Sequence, residues 1–152
     1  MKMWVDGSVG SGDPGGVIGY GWHTDTEEGH GILFQGGTAA TNNISEYGAV
    51  AAGLIWLLPR VSQFGDKTLE ILSDSQLTVN QLSGEWRVRH SNLKPIAALT
   101  HLILDQFTQL GWDVTIRWIP REENKRADKL SRKTLNTQLM DRLPLTRREE
   151  SE

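Results

Sequence analysis

Gly31 to Leu58 reads GILFQGGTAATNNISEYGAVAAGLIWLL, and the spacing of its apolar residues changes partway along. Gly31 to Gln35 is a short strand signal bounded by a Gly pair. From Ile44 on, apolar residues fall at Ile44, Tyr47, Val50, Ala51, Leu54, Ile55 and Leu58, which is the spacing of one helix face. Pro59 is expected to stop that helix. A chain that builds strands and then switches to helical spacing is either α/β or α+β, so the flanks on either side decide.

Upstream, Lys2 to Ser8 and Val17 to Thr24 (VIGYGWHT) are strand signals, separated by the Gly-rich turn Gly10 to Gly16. Asp25 to Gly29 links the second strand to the third, and links this short predict an antiparallel meander. Downstream, Leu69 to Leu72 is a strand, and Asp74-Ser75 opens a helix to about Leu82. Pro95 suits the first residue of a helix to about Leu110, with Ile96, Leu99, Leu102, Ile103 and Phe107 on one face. Val114 to Trp118 is a β-branched strand, and a last helix runs from about Glu122 to Leu135. The order β-β-β-α-β-α-α-β-α predicts an α/β fold. Its five-stranded mixed sheet has three antiparallel and then two parallel strands, with helices on both faces. Residues 1–137 read as one domain and 138–152, with Pro144 and the charged run Arg147 to Glu152, as a flexible tail.

Composition narrows the classes. With 152 residues, 38% hydrophobic and 23% charged, the chain suits one globular domain. No apolar run approaches the roughly 20 residues that cross a bilayer, and the first residues do not read as a signal peptide. Zero Cys excludes disulfides, thiolate metal sites and a Cys nucleophile, and fits a cytoplasmic protein. The net charge of -3 hides an asymmetry: residues 1–84 hold 3 Lys/Arg against 9 Asp/Glu, and residues 85–152 hold 13 against 10. One region is suited to cations and another to phosphates.

Four acids sit at junctions. Asp6 lies in an apolar strand, where a carboxylate is costly unless paired or hydrogen-bonded. Asp74 follows the fourth strand, at the carboxyl end where ligands gather in sheets with parallel strands. Glu46 opens the first long helix, and Asp128 lies in the last. Three have ordinary structural explanations. Glu46 three residues after Asn43 matches a capping box, Asp74 suits an N-cap, and Asp128 suits an ion pair with Arg132 one turn on.

The combination is more specific than its parts. Asp6-Gly7-Ser8, Thr41-Asn42-Asn43-Ile44-Ser45-Glu46, Asp74-Ser75-Gln76 and Asn124-Lys125-Arg126-Ala127-Asp128-Lys129-Leu130 occur in this order. That series resembles type 1 ribonuclease H, which cuts the RNA strand of RNA–DNA hybrids, and the resemblance runs from Lys2 to about Leu135. It implies a ribonuclease H-like fold and a metal-dependent endonuclease leaving 5′-phosphate and 3′-hydroxyl ends. It further implies two Mg²⁺ ions, with Mn²⁺ as an alternative, held by Asp6, Glu46, Asp74 and Asp128. Such hard ions favour carboxylate oxygens. Two of them about 4 Å apart activate water and stabilise the leaving oxygen. The resemblance also places Asn42, Asn43 and Gln76 at the hybrid's minor groove, Gly7 where the RNA backbone approaches, and Thr41 at a DNA phosphate. The partner implied is an RNA–DNA hybrid, met by a monomer with no membrane role.

Two features depart from the best-known bacterial pattern. A basic handle follows the second helix in many members, but here Leu82 to His90 passes quickly to Lys94-Pro95. Hybrid affinity is then expected to rest on Trp86 as a stacking surface and on Arg87, Arg89 and Lys94 as phosphate contacts. The loop Trp118 to Asn124 lacks the mobile His that many members carry, and none of His23, His30, His90 and His101 is assigned a catalytic role. Glu122 or Glu123 could substitute in adjusting the second metal, although acids there also suit a helix N-terminus. Slower turnover or a changed metal preference is the expectation. The competing reading is a non-catalytic binding module for RNA–DNA hybrid or double-stranded RNA on the same fold. A different nuclease or transposase would leave Asn42, Asn43 and Gln76 without a purpose.

Overall fold

Lys2–Val9 (β1), Val17–His23 (β2) and Glu28–Phe34 (β3) form an antiparallel meander. Thr68–Ser73 (β4) pairs with β1 in parallel, and Asp113–Trp118 (β5) pairs with β4 in parallel, so the sheet order is β3-β2-β1-β4-β5. In this computed structural model the described residues are 1–10, 16–34 and 41–141, without the side chains of Phe34 and of 137–141. Most of the Gly-rich turn (11–15), Gln35 and the tail from residue 142 lie outside them.

Parallel neighbours need crossovers, and the helices supply them. Asn42–Leu57 (α1) connects β3 to β4, Gln76–Leu82 (α2) and Lys94–Gln109 (α3) connect β4 to β5, and Lys125–Asp141 (α4) follows β5. The link from α2 to α3 is residues 83–93 and holds no helix, as expected for a chain without a handle.

Strand alternation assigns the two faces. On β1, Met3 lies against Gly53 and Gly7 against Ser45, so the odd positions face α1. The Ser8 hydroxyl donates to the Ser131 carbonyl, and Asp6 stands opposite Gly21, which lies against Ala127, Leu130 and Ser131. The even positions therefore face α4. Between α1 and the sheet, Met3, Val5, Ile18, Tyr47, Leu54 and Ile71 are essentially inaccessible. Each such side chain contributes roughly 1.5–3 kcal/mol through burial.

Several local details differ from the sequence expectations. β3 starts at Glu28, because Gly29 and His30 pair with Trp22 and Gly21. Asn43 is not the cap of α1: Thr41 is, its Oγ1 accepting from Ile44 N at 3.2 Å. The α-helix ends at Leu57, just before Pro59 as expected, and the chain continues in a 3-10 turn, Leu58–Gln63. The N-cap of α2 is Ser75 rather than Asp74. On α3 the buried residues are Ala97, Thr100, Ile103 and Phe107, while Leu99 and Leu102 are exposed. The last helix begins after a 3-10 turn, Arg121–Glu123, and continues to Asp141, beyond its expected end at about Leu135.

One feature positions everything that follows. The β1–β4 ladder pairs only Lys2, Met3 and Trp4 with Glu70, Ile71 and Leu72, whereas the β1–β2 ladder continues to Val9. Beyond Trp4, β1 is paired on one side only.

Candidate active site

The opening beside β1 collects acids. Asp6 is 5% exposed in a strand whose neighbours Met3 and Val5 belong to the core. A Cβ at Gly7 would fall on the Ser45 carbonyl, so glycine is what lets α1 lie this close to the strand. That approach brings Glu46 to β1, where its Oε1 accepts from Gly7 N–H at 3.4 Å. Its Oε2 is buried with no hydrogen-bond partner among the described residues. Asp74 comes directly after the last residue of β4. One carboxylate oxygen from each of Asp6, Glu46 and Asp74 lies within 4.8 Å of the other two.

This crowding changes the acids. Burial is the largest cause holding Asp6 well above the ordinary carboxylate range, and the charges of Glu46 and Asp74 add to it. Burial likewise raises Glu46, to about 7, with Asp74 adding repulsion. Hydrogen bonding with Asp6, the Gly7 N–H and the charge of Arg121 hold Glu46 lower than burial alone would. Both acids are thus held towards their protonated forms, by burial first and by the charge of neighbouring acids second. A set of hard oxygen donors that repel one another, one of them orphaned, fits a divalent cation of the Mg²⁺ type.

Asp128 is not one of the three mutually close acids. It lies on α4 near enough to Asp6 for hydrogen bonding to raise the Asp6 pKa further. The expected ion pair is also present, with Arg132 Nε 3.1 Å from Asp128 Oδ1.

The expected substrate residues fall into two groups. Thr41, Asn42 and Asn43 form the entry to α1, with Asn42 and Asn43 exposed, and Gln76 is exposed at the first position of α2. Gly7 lies beside them against Ser45. Trp86, Arg87 and Arg89 line an open depression with Leu77, Gln81, Glu85 and His90. Trp86 is 49% exposed, as a stacking surface requires, and Lys94 is exposed at the start of α3 but outside that depression. Of the histidines, His23 is buried and stacks on Trp4 with ring centroids 4.7 Å apart, and none belongs to the acid cluster.

Two residues at the site carry no strong sequence signal. Asn124, 1% exposed, donates from Nδ2 to the Val5 carbonyl at 2.9 Å and to Asp74 Oδ2 at 3.1 Å. Trp118 donates its indole N–H to the Asp74 carbonyl at 3.2 Å. In the sequence Asn124 stood only as the first residue of the Asn124 to Leu130 motif, with no role of its own, and Trp118 read simply as a strand aromatic.

A mixed sheet of this order, with acids gathered where a parallel ladder opens, defines the ribonuclease H-like class. Residues 6–134 match the family model described as reverse transcriptase-like. The Ribonuclease HI of Halobacterium salinarum is 33% identical over 139 residues, covering 90% of this chain and 64% of that protein. The bifunctional protein Rv2228c of Mycobacterium tuberculosis is 31% identical over 134 residues, or 86% of this chain and 35% of that protein. This chain thus spans about a third of the mycobacterial relative's length. Among solved structures, LC11-RNase H1 in complex with an RNA/DNA hybrid superimposes with a TM-score of 0.72 at 26% identity, covering 91% of this chain and 98% of that one. The chain belongs to the reverse transcriptase-like family, and its similarity to the Ribonuclease HI of Halobacterium salinarum supports the type 1 ribonuclease H group within it.

Proposed function

We propose that this protein is a divalent-metal-dependent endonuclease that hydrolyses the RNA strand of RNA–DNA hybrids, leaving 5′-phosphate and 3′-hydroxyl ends. The observation that carries the reading is the cluster of Asp6, Glu46 and Asp74 at the open end of the β1–β4 ladder. These three acids, with Asp128 as the fourth, would hold two Mg²⁺ ions, or Mn²⁺ in their place. When bound, such ions supply a more acidic attacking water and a stabilised leaving oxygen.

The chain's own residues do the rest. Gly7 lets the first turn of α1 lie against β1, which brings Glu46 to the other acids where a phosphate of the RNA strand would be met. Asn42, Asn43 and Gln76 offer small polar groups to a wide minor groove and its 2′-hydroxyls, the feature that separates a hybrid from DNA. Thr41 contacts a phosphate of the DNA strand while its Oγ1 also caps α1. Trp86, Arg87, Arg89 and Lys94 take the place of a handle. In this reading residues 1–137 form the working domain and act as a monomer.

The test is incubation of labelled RNA–DNA hybrid, duplex DNA and duplex RNA with the protein in Mg²⁺ and in chelator. Cutting of the hybrid's RNA strand alone, abolished by chelation, is expected. Equal cutting of all three, or cutting that survives chelation, would sink the reading. Asp74→Asn should lose essentially all cleavage while its circular dichroism and hybrid binding stay close to wild type, and retained cleavage would place the chemistry elsewhere.

A further inference from the structure

We infer that Asn124 is a positioning residue that sets the separation of β1 from Asp74 and thereby holds the acid cluster in its cation-binding arrangement; this rests on the proposed function.

Asn124 precedes the first residue of α4, and its carbonyl accepts from Asp128 N at 3.1 Å. That is the N-cap position, where Asn is favoured because its side-chain oxygen accepts from a backbone N–H of the first turn. Here the oxygen does not cap. Asn124 Oδ1 is buried with no hydrogen-bond partner among the described residues. The amide has been turned to the site, and leaving a buried acceptor unmade is unfavourable.

The turn achieves a bridge between two strands. The β1–β4 ladder ends at Trp4 and Leu72, so from Val5 onward β1 lacks β4 as a partner. Asn124 Nδ2 occupies that place, donating to the carbonyl of Val5, the residue before Asp6, and to Asp74 Oδ2. A carbonyl only accepts, so the atom facing Val5 must be the NH₂ group. With one oxygen of Asp74 engaged, its other oxygen is left for a cation. Asn124 is buried, so it acts through Asp74 and β1 rather than on substrate.

This role separates Asn from Asp. Asp is as good an N-cap as Asn. A carboxylate at 124 would instead set its oxygens against the Val5 carbonyl and the Asp74 carboxylate. Asn124→Asp should therefore melt well below wild type in chelator, whereas a capping role would leave it at or above wild type. Asn124→Ala should bind Mn²⁺ about 10-fold more weakly by calorimetry, as expected when a group that orients a metal ligand is removed. On the hybrid it should lower kcat by about 10-fold with KM within about 2-fold. A wild-type melting temperature for Asn124→Asp, unchanged Mn²⁺ affinity for Asn124→Ala, or a loss confined to KM would overturn the inference.

If neither variant folds, the wild-type protein still decides. The Asn124 side-chain amide should be protected from hydrogen exchange and should shift in NMR spectra on adding Mg²⁺. Free exchange with no shift would overturn the inference. The melting, calorimetric and NMR measurements use no nucleic acid, so failure of the wild-type protein to cut hybrid would count against the proposed function alone.

Discussion

At the scale of single residues, the site is defined by what its carboxylates cannot find. Asp6 and Glu46 are pushed above the ordinary carboxylate range, Glu46 to about 7, by burial first and by neighbouring charge second. The folded, metal-free protein therefore holds more protons than the unfolded chain from the ordinary carboxylate range up to about pH 7 and beyond. Stability falls with rising pH wherever the folded state binds the extra protons. In chelator, the melting temperature should be higher near pH 5 than near pH 8. Mg²⁺ should raise the value at pH 8, and Asp6→Asn should flatten the profile. A flat wild-type profile in chelator would show that the acids do not repel as described. Asp6 was legible in the sequence, because a carboxylate flanked by core residues asks for a reason. Asn124 was not. It stands in the polar run Glu122 to Asp128, and its burial exists only because β1 and β4 part company beside it.

At the scale of elements, order and pairing were readable because the change of apolar spacing between Gln35 and Ile44 is sharp. Ends and faces were less so. Asn43 and Glu46 have capping-box spacing, yet Thr41 is the cap, since burial of Ile44 and Ser45 starts the helix at Asn42. Thr41→Ala should cost about 1 kcal/mol in denaturant unfolding, the ordinary cost of losing such a cap. Asn43→Ala should cost much less, and equal costs would contradict this assignment. The apolar residues of α3 allow two overlapping faces, and packing against α1 chose the one through Ala97, Thr100, Ile103 and Phe107. Gly7 is where one missing carbon sets the distance between strand and helix. Gly7→Ala meets the backbone of Ser45, which has no rotamer to yield, and should destabilise by about 1–3 kcal/mol as overpacked cores do. Denaturant melts would check it.

At the scale of the whole molecule, the charge asymmetry has a spatial counterpart. Asp6, Glu46 and Asp74 come from the acidic half, and Arg87 and Arg89 from the basic half line the depression beside Trp86. Without a handle, Arg87, Arg89 and Lys94 are the cations proposed to neutralise phosphates. In the Asp74→Asn background, replacing Arg87, Arg89 and Lys94 together with Ala should weaken hybrid binding. It should also reduce the log–log salt slope by about 2–3, or roughly 0.9 per phosphate contact on duplex. An unchanged slope would move the phosphate contacts elsewhere.

The half-paired strand has one more consequence. Past Trp4, the side of β1 turned towards β4 is an open sheet margin inside the protein, the kind of surface onto which a foreign strand adds. It is guarded without being covered: the Glu46 carboxylate takes the Gly7 N–H and the Asn124 amide takes the Val5 carbonyl. The groups that equip the site for chemistry also occupy the hydrogen-bonding positions of that edge. A protein stripped of both side chains would then be expected to fail by self-association before it failed by unfolding.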